Sequence, residues 1–174
     1  MKKMVVLMAM GVMLFADGPV LKTGQTAVYL TGDDGTYRKG IARGYSRSTA
    51  GVVTDNATGL QWQDDYSDNN GSIKKANWAD AQSYCAALTL DGGGWRLPSM
   101  PELRSLLDYS RSNPIIDPVF QKIDGALLSP YYWSSTSYAN NTSNAWMLSF
   151  YYGYASYFTK SAADYVRCVR GGVE

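Results

Sequence analysis

The chain has two cysteines, Cys85 and Cys168, and they fall in very different stretches of sequence. Cys85 belongs to the series Trp78, Ala81, Cys85, Leu88, whose three- and four-residue spacing predicts one apolar stripe on a helix. Cys168 belongs to the last β-prone run, Tyr165 to Val169. The chain opens Met1-Lys2-Lys3, followed by the apolar stretch Met4 to Ala16. That stretch is shorter than the roughly 20 residues a membrane-spanning helix needs, and with its basic start it reads as an export signal cleaved after Ala16. In an oxidising compartment two cysteines pair by default. A middle helix is therefore expected to be stapled to the final strand. A reactive thiol would need a cationic neighbour; Arg167 and Arg170 flank Cys168, but Cys85 sits in an apolar stripe. The bridge is read as structural.

The remaining composition excludes much chemistry. With 174 residues, 45% apolar and 18% charged, the chain suits one domain with a short extension. Histidine is absent, so no His triad, His general base or histidine-ligated metal is available. Two cysteines cannot build a four-thiolate zinc site. The formal charge of +1 gives no basic excess for a nucleic-acid backbone. The adjacent acids Asp33-Asp34 and Asp64-Asp65 would point to opposite faces of a strand, a poor start for a hydrolase. No catalytic residue, cofactor, metal or membrane span is expected.

The chain divides into residues 1–16, the signal; 17–48, an irregular arm with short strands such as Ala27 to Thr31; and 49–174, the domain. Gly51 to Thr54 and Leu60 to Gln63 flank Asp55-Asn56-Ala57-Thr58-Gly59, the pattern of a hairpin. Asn77 is placed to cap the first helix, and Asp91-Gly92-Gly93-Gly94 to end it. Ser99-Met100-Pro101-Glu102 is a capping box opening a second helix, with Leu103, Leu106 and Leu107 as its buried face. From Tyr131 onward strands take over: Tyr132 to Thr136, Ala145 to Tyr152, a weaker one at Tyr157–Phe158, and Tyr165 to Val169. In the second, Trp146, Leu148 and Phe150 alternate with Met147, Ser149 and Tyr151, as in a half-buried strand. Helices followed by strands, without βαβ alternation, indicate an α+β domain.

Several segments in order resemble the Lcl C-terminal domain family. They are Asp55-Asn56-Ala57-Thr58-Gly59-Leu60-Gln61-Trp62, Tyr84-Cys85, Trp95-Arg96-Leu97-Pro98, Glu102-Leu103, Tyr132-Trp133-Ser134-Ser135-Thr136 and Val166-Arg167-Cys168-Val169-Arg170. Thr23-Gly24-Gln25-Thr26 and Thr31-Gly32-Asp33-Asp34-Gly35 resemble leader segments that precede this domain. The resemblance implies a C-type lectin-like fold, two helices packed on antiparallel strands and closed by one disulfide. It also implies an exported bacterial protein, some of whose relatives are glycan-binding surface adhesins. The Glu-Pro-Asn and Trp-Asn-Asp triplets of calcium-dependent lectins are missing. The same fold class contains formylglycine-generating oxidases, but the only cysteines here fall where the structural bridge belongs. Trp95 is expected in the core, Pro98 at the helix entry, and Arg96 paired with an acid.

Eight of the fourteen tyrosines lie between Tyr131 and Tyr165. Mixed with Ser137, Asn140, Asn141, Ser143, Ser156 and Ser161, they match the composition of binding loops, where Tyr gives large contact area at low entropy cost. Tyr131, Tyr138, Tyr151, Tyr152, Tyr154, Tyr157, Phe158, Ser161 and Asp164 are the expected ligand-binding residues. In Tyr151 to Asp164 most residues can arise from the Asn codon AAC by changing only its adenines. Lys160 cannot. This is similar to proteins diversified by retroelements on a fixed scaffold. The expected function is non-enzymatic binding of a glycan or protein, in the periplasm, at the cell surface or outside the cell. An oxidase and a structural subunit of a surface assembly are the alternatives.

Overall fold

The computed structural model describes residues 20–123 and 131–172; the segment read as an export signal lies outside them. In the arm, the strand expected at Ala27 to Thr31 is replaced by bends leading into a short helix, α1 (Asp34–Tyr37). The cause is Asp33. Its carboxylate accepts the N–H groups of Tyr29 at 2.9 Å, Leu30 at 3.3 Å and Thr36 at 3.1 Å, taking donors that a strand would need. Those bonds, Tyr29's first, hold its pKa at about 2. Gly35 is required here, since a Cβ would lie 2.0 Å from the Ala27 carbonyl oxygen. The arm is fastened by Ile41 N–H to Val20 O, Lys22 N–H to Ile41 O and Tyr109 N–H to Thr23 O.

The end of the arm forms β1 (Tyr45–Arg47), which pairs with β2 (Val52–Asp55) of the domain expected from residue 49, and β3 (Leu60–Gln63) follows. The β2–β3 hairpin forms as its turn chemistry demands: Asp55 Oδ1 accepts the Ala57 N–H at 2.9 Å, and Gly59 takes φ +72°. After β4 (Lys75–Ala76) comes α2 (Trp78–Ala87), capped by Asn77 through the Asp80 N–H. Then α3 (Met100–Ser105) carries the expected capping box. Glu102 accepts the Ser99 N–H at 2.7 Å and grips Arg96 with both oxygens, at 2.8 and 2.5 Å. The chain closes with β5 (Tyr131–Ser137), β6 (Asn144–Ser149), β7 (Ala155–Thr159), β8 (Asp164–Tyr165) and β9 (Val169–Gly171).

Two sheets result, in the orders β1-β2-β3-β9 and β4-β8-β5-β6-β7. The run Tyr165 to Val169, expected as one strand, is two strands in two sheets. Val166-Arg167-Cys168 crosses between them, because the fully buried Arg167 turns inward to Asp64 at 3.1 Å. The strands are not all antiparallel either: β5 and β8 pair parallel.

Consecutive strand residues feed different cores. Val53, Tyr132, Leu148, Phe150 and Val169 join Leu103 of α3 and Leu106 and Leu107 just beyond it, while Val52, Trp133, Met147 and Cys168 join Cys85, Ala81 and Trp95. This corrects the half-buried reading of β6. Met147 faces one core and Leu148 the other, as in a strand covered on both sides. β6 also ends at Ser149 rather than Tyr152, where Gly153, at φ +73°, turns back to give its N–H to Ser149 O. The Cys85–Cys168 disulfide forms. It closes a loop with a sequence separation of 83, which by loop-closure entropy contributes about 4–5 kcal/mol.

Candidate functional site

β5, β6 and β7 place the tyrosines, and strand alternation sorts them. Tyr131 stands opposite Ser149, and Ser149 donates its N–H to Tyr154 O, so the three share one row and one face. The Tyr131 and Tyr154 hydroxyls are 2.9 Å apart and their rings meet edge-on. Tyr152 stacks on Tyr154 with centroids 5.5 Å apart, and Tyr151 meets Tyr152 edge-on. Tyr152 and Tyr154 remain 46% and 47% exposed. Asp164, on β8, completes this patch: its charge acts on Tyr131. Burial, offset in part by Lys75, pushes the Asp164 carboxyl up to about 6. Burial and the Tyr154 hydroxyl together raise the Tyr131 phenol to about 12.

A second patch lies on the opposite face. Trp146 stands opposite Tyr157, three residues from Ser149 along β6 and therefore turned the other way. Tyr138 stacks flat on Tyr157, with centroids 4.0 Å apart and planes 6° apart, and meets Trp146 edge-on. The nine expected residues thus do not share one surface. Tyr131, Tyr151, Tyr152, Tyr154 and Asp164 come together; Tyr138 and Tyr157 form the other patch. Phe158, 53% exposed, is turned away from Tyr157, and the Ser161 hydroxyl is 3.0 Å from that of Thr159 in the turn after β7.

Two participants were not among the expected residues. Trp146, expected only as one face of its strand, anchors the second patch. Lys160 lies over the Trp78 ring, 4.0 Å from its centroid, and donates to Ser137 Oγ at 2.7 Å. Its signal was that, alone in its segment, it breaks the AAC codon pattern.

The ordered motifs, the paired cysteines and this α+β framework coincide with a family model, that of the Lcl C-terminal domain, over residues 51–170. The chain belongs to the Lcl C-terminal domain family. No curated protein matches the chain. The stretch matched to the Lcl C-terminal domain includes both aromatic patches and the disulfide, and it starts after the arm.

Within this Lcl C-terminal domain the motif residues settle into structural tasks. Trp95 is in the core at 3% exposure. Asp64 and Asp65 diverge, the first fully buried and the second capping Ser67. Asp64 accepts from Arg47 Nε and an Arg167 amino group at 3.1 Å each, and from the N–H groups of Gln121 at 2.8 Å and Lys122 at 3.1 Å. Arg167 also donates to Gln63 O and Lys122 O, and its guanidinium lies over the Phe120 and Tyr132 rings. Among the described residues no group of three or more acidic, Cys or His side chains is arranged to hold a metal ion, and no helix is long and apolar enough to cross a membrane.

Proposed function

We propose that this Lcl C-terminal domain protein is an exported, non-enzymatic binding protein on a C-type lectin-like scaffold. The ligand, a glycan or a protein, meets the Tyr131–Tyr152–Tyr154–Asp164 patch. The observation carrying this reading is the pair of half-exposed rings, Tyr152 and Tyr154, held in place by stacking and by the Tyr131 hydroxyl. Fixed aromatic surface is what stacks on sugar rings and anchors protein interfaces. Asp164 adds an acceptor beside it. Its carboxylate receives no hydrogen bond from the described residues, so a ligand hydroxyl or N–H has a partner waiting. Binding rather than oxidase chemistry is supported by both cysteines being fully buried in one disulfide.

The test is a wide glycan and protein array probed with the purified protein, followed by Tyr152→Ala and Tyr154→Ala. Each substitution is expected to weaken a captured ligand by about tenfold or more, the scale of losing a buried aromatic anchor. An array that captures nothing, or a ligand held equally well by both variants, overturns the reading. Sequencing the gene across its source population checks the diversification idea. Substitutions are expected to cluster in residues 131–164, and a uniform segment removes it.

A further inference from the structure

The sheet edges of this molecule are protected unequally. β1 is three residues long and carries Arg47; β4 is two residues long and carries Lys75. Short strands and charges are how natural proteins blunt an edge against pairing. β7 has neither protection. It runs five residues, Ala155-Ser156-Tyr157-Phe158-Thr159, without a charge or a proline, and pairs only with β6 among the described strands.

The register identifies the backbone groups left over. Ser149 N–H bonds Tyr154 O, and Lys160 N–H bonds Ser143 O. Because hydrogen-bonded pairs alternate along an antiparallel ladder, Tyr154, Ser156, Phe158 and Lys160 direct their backbone groups at β6. Ala155, Tyr157 and Thr159 direct theirs outward. Among the described residues only Thr159 O of these outward groups is used, by the Ala162 N–H. Tyr157 and Phe158 stand 45% and 53% exposed beside them.

We propose that β7 is a self-association edge, pairing antiparallel with β7 of a second copy about a two-fold axis at Tyr157. In that register Tyr157 exchanges both backbone hydrogen bonds with its counterpart, and Ala155 pairs with Thr159 of the other copy. The edge is complementary to itself in hydrogen bonding, and the register sets no like charges opposite each other. Lys160, the one charge adjoining the strand, falls opposite Tyr154 instead of a second Lys160. Phe158 falls opposite Ser156, so the bulky rings do not collide. The Tyr138–Trp146–Tyr157 stack continues across the axis into its copy. The two five-stranded sheets become one, and the partner is this chain itself, as in isologous dimers generally. Ligand binding is proposed at Tyr152 and Tyr154 on the other patch, which this pairing meets only where Lys160 of the second copy falls opposite Tyr154.

Sedimentation velocity over a wide dilution series tests it, together with hydrogen exchange at each concentration. The parent protein is expected to form a dimer as concentration rises. The amides of Ala155, Tyr157 and Thr159 are expected to slow in step with it, while exposed amides in the arm do not. Tyr157→Lys sets two charges against each other at the axis, and Ala155→Pro removes one outward donor without touching the β6 ladder. Each is expected to weaken the dimer at least tenfold. The buried disulfide and the near-ultraviolet dichroism report whether each variant is folded; if Tyr157→Lys fails to fold, Ala155→Pro and the amide exchange of the parent decide. A parent that stays monomeric throughout, or a dimer that survives in folded variants without protection of the three amides, overturns the proposal.

Discussion

Asp64 and Asp164 are both carboxylates set among aromatic rings, and their surroundings treat them in opposite ways. Asp64 is fully buried, yet four donors reach it and Arg167 balances its charge. Asp164 is only partly buried, with Lys75 as its nearby cation and no hydrogen bond received from the described residues. A buried carboxylate saturated by its own chain has nothing to offer a ligand; what it does is tie β3, the 114–123 loop and the crossing at Arg167 into one unit. A half-buried carboxylate without donors costs the fold something and keeps its acceptor capacity for a visitor. The contrast separates an acid whose hydrogen-bonding capacity is spent inside the fold from one whose capacity is left over among the described residues.

Asp64→Ala is the most direct way to break this comparison. It leaves Arg167 buried without a counter-charge and removes the acceptor of the Gln121 and Lys122 amides, and is expected to cost about 3–5 kcal/mol in denaturant unfolding. A loss below about 1 kcal/mol would mean the node is not the clasp its geometry describes. Asp164→Asn should act in the opposite direction. A carboxyl whose pKa is about 6 in the folded protein and near 3.9 when unfolded binds its proton more tightly when folded. Its favourable contribution is full below pH 4 and is lost as pH rises through 6. At pH 7 the asparagine variant is therefore expected to be the more stable protein, by roughly 1 kcal/mol once solvent screening of a half-buried group is allowed for. At pH 3.5 the two should unfold alike; equal stability at both pH values would show that Asp164 is not desolvated. Tyr131→Phe sharpens the comparison most finely. It keeps the ring against Tyr154 and removes the hydroxyl pair, for an expected loss of about 0.5 kcal/mol. Its unfolding midpoint should differ only slightly from that of the parent.

Local chemistry made much of the fold legible. Asn77, the Ser99–Glu102 box and the Asp55–Gly59 turn act through neighbours within a few residues, and all three formed where their residue types placed them. The disulfide was legible because only one pairing was possible. What escaped was set at a distance. Nothing near Arg167 in the chain announces that it meets Asp64, 103 residues away, so the break between β8 and β9 was hidden. The double burial of β6 was hidden for the same reason, since alternation shows two faces but not that both are covered. The two-patch arrangement of tyrosines is a different case. Tyr131 and Tyr138 are an odd number of residues apart, as are Tyr154 and Tyr157, which puts the members of each pair on opposite faces once the strand bounds are known. Composition had grouped residues that parity separates.

The Cys85–Cys168 bond has a mechanical consequence. Residues 131, 152, 154 and 164 all lie inside the covalent loop it closes, as do β5, β6 and β7. Tension applied to the two ends of the chain would peel β9 from β3, reach Cys168 and pass through the sulfur bridge into α2. The aromatic patches would then be bypassed. The rings of both patches would keep their spacing under such a load until the bond itself was reduced.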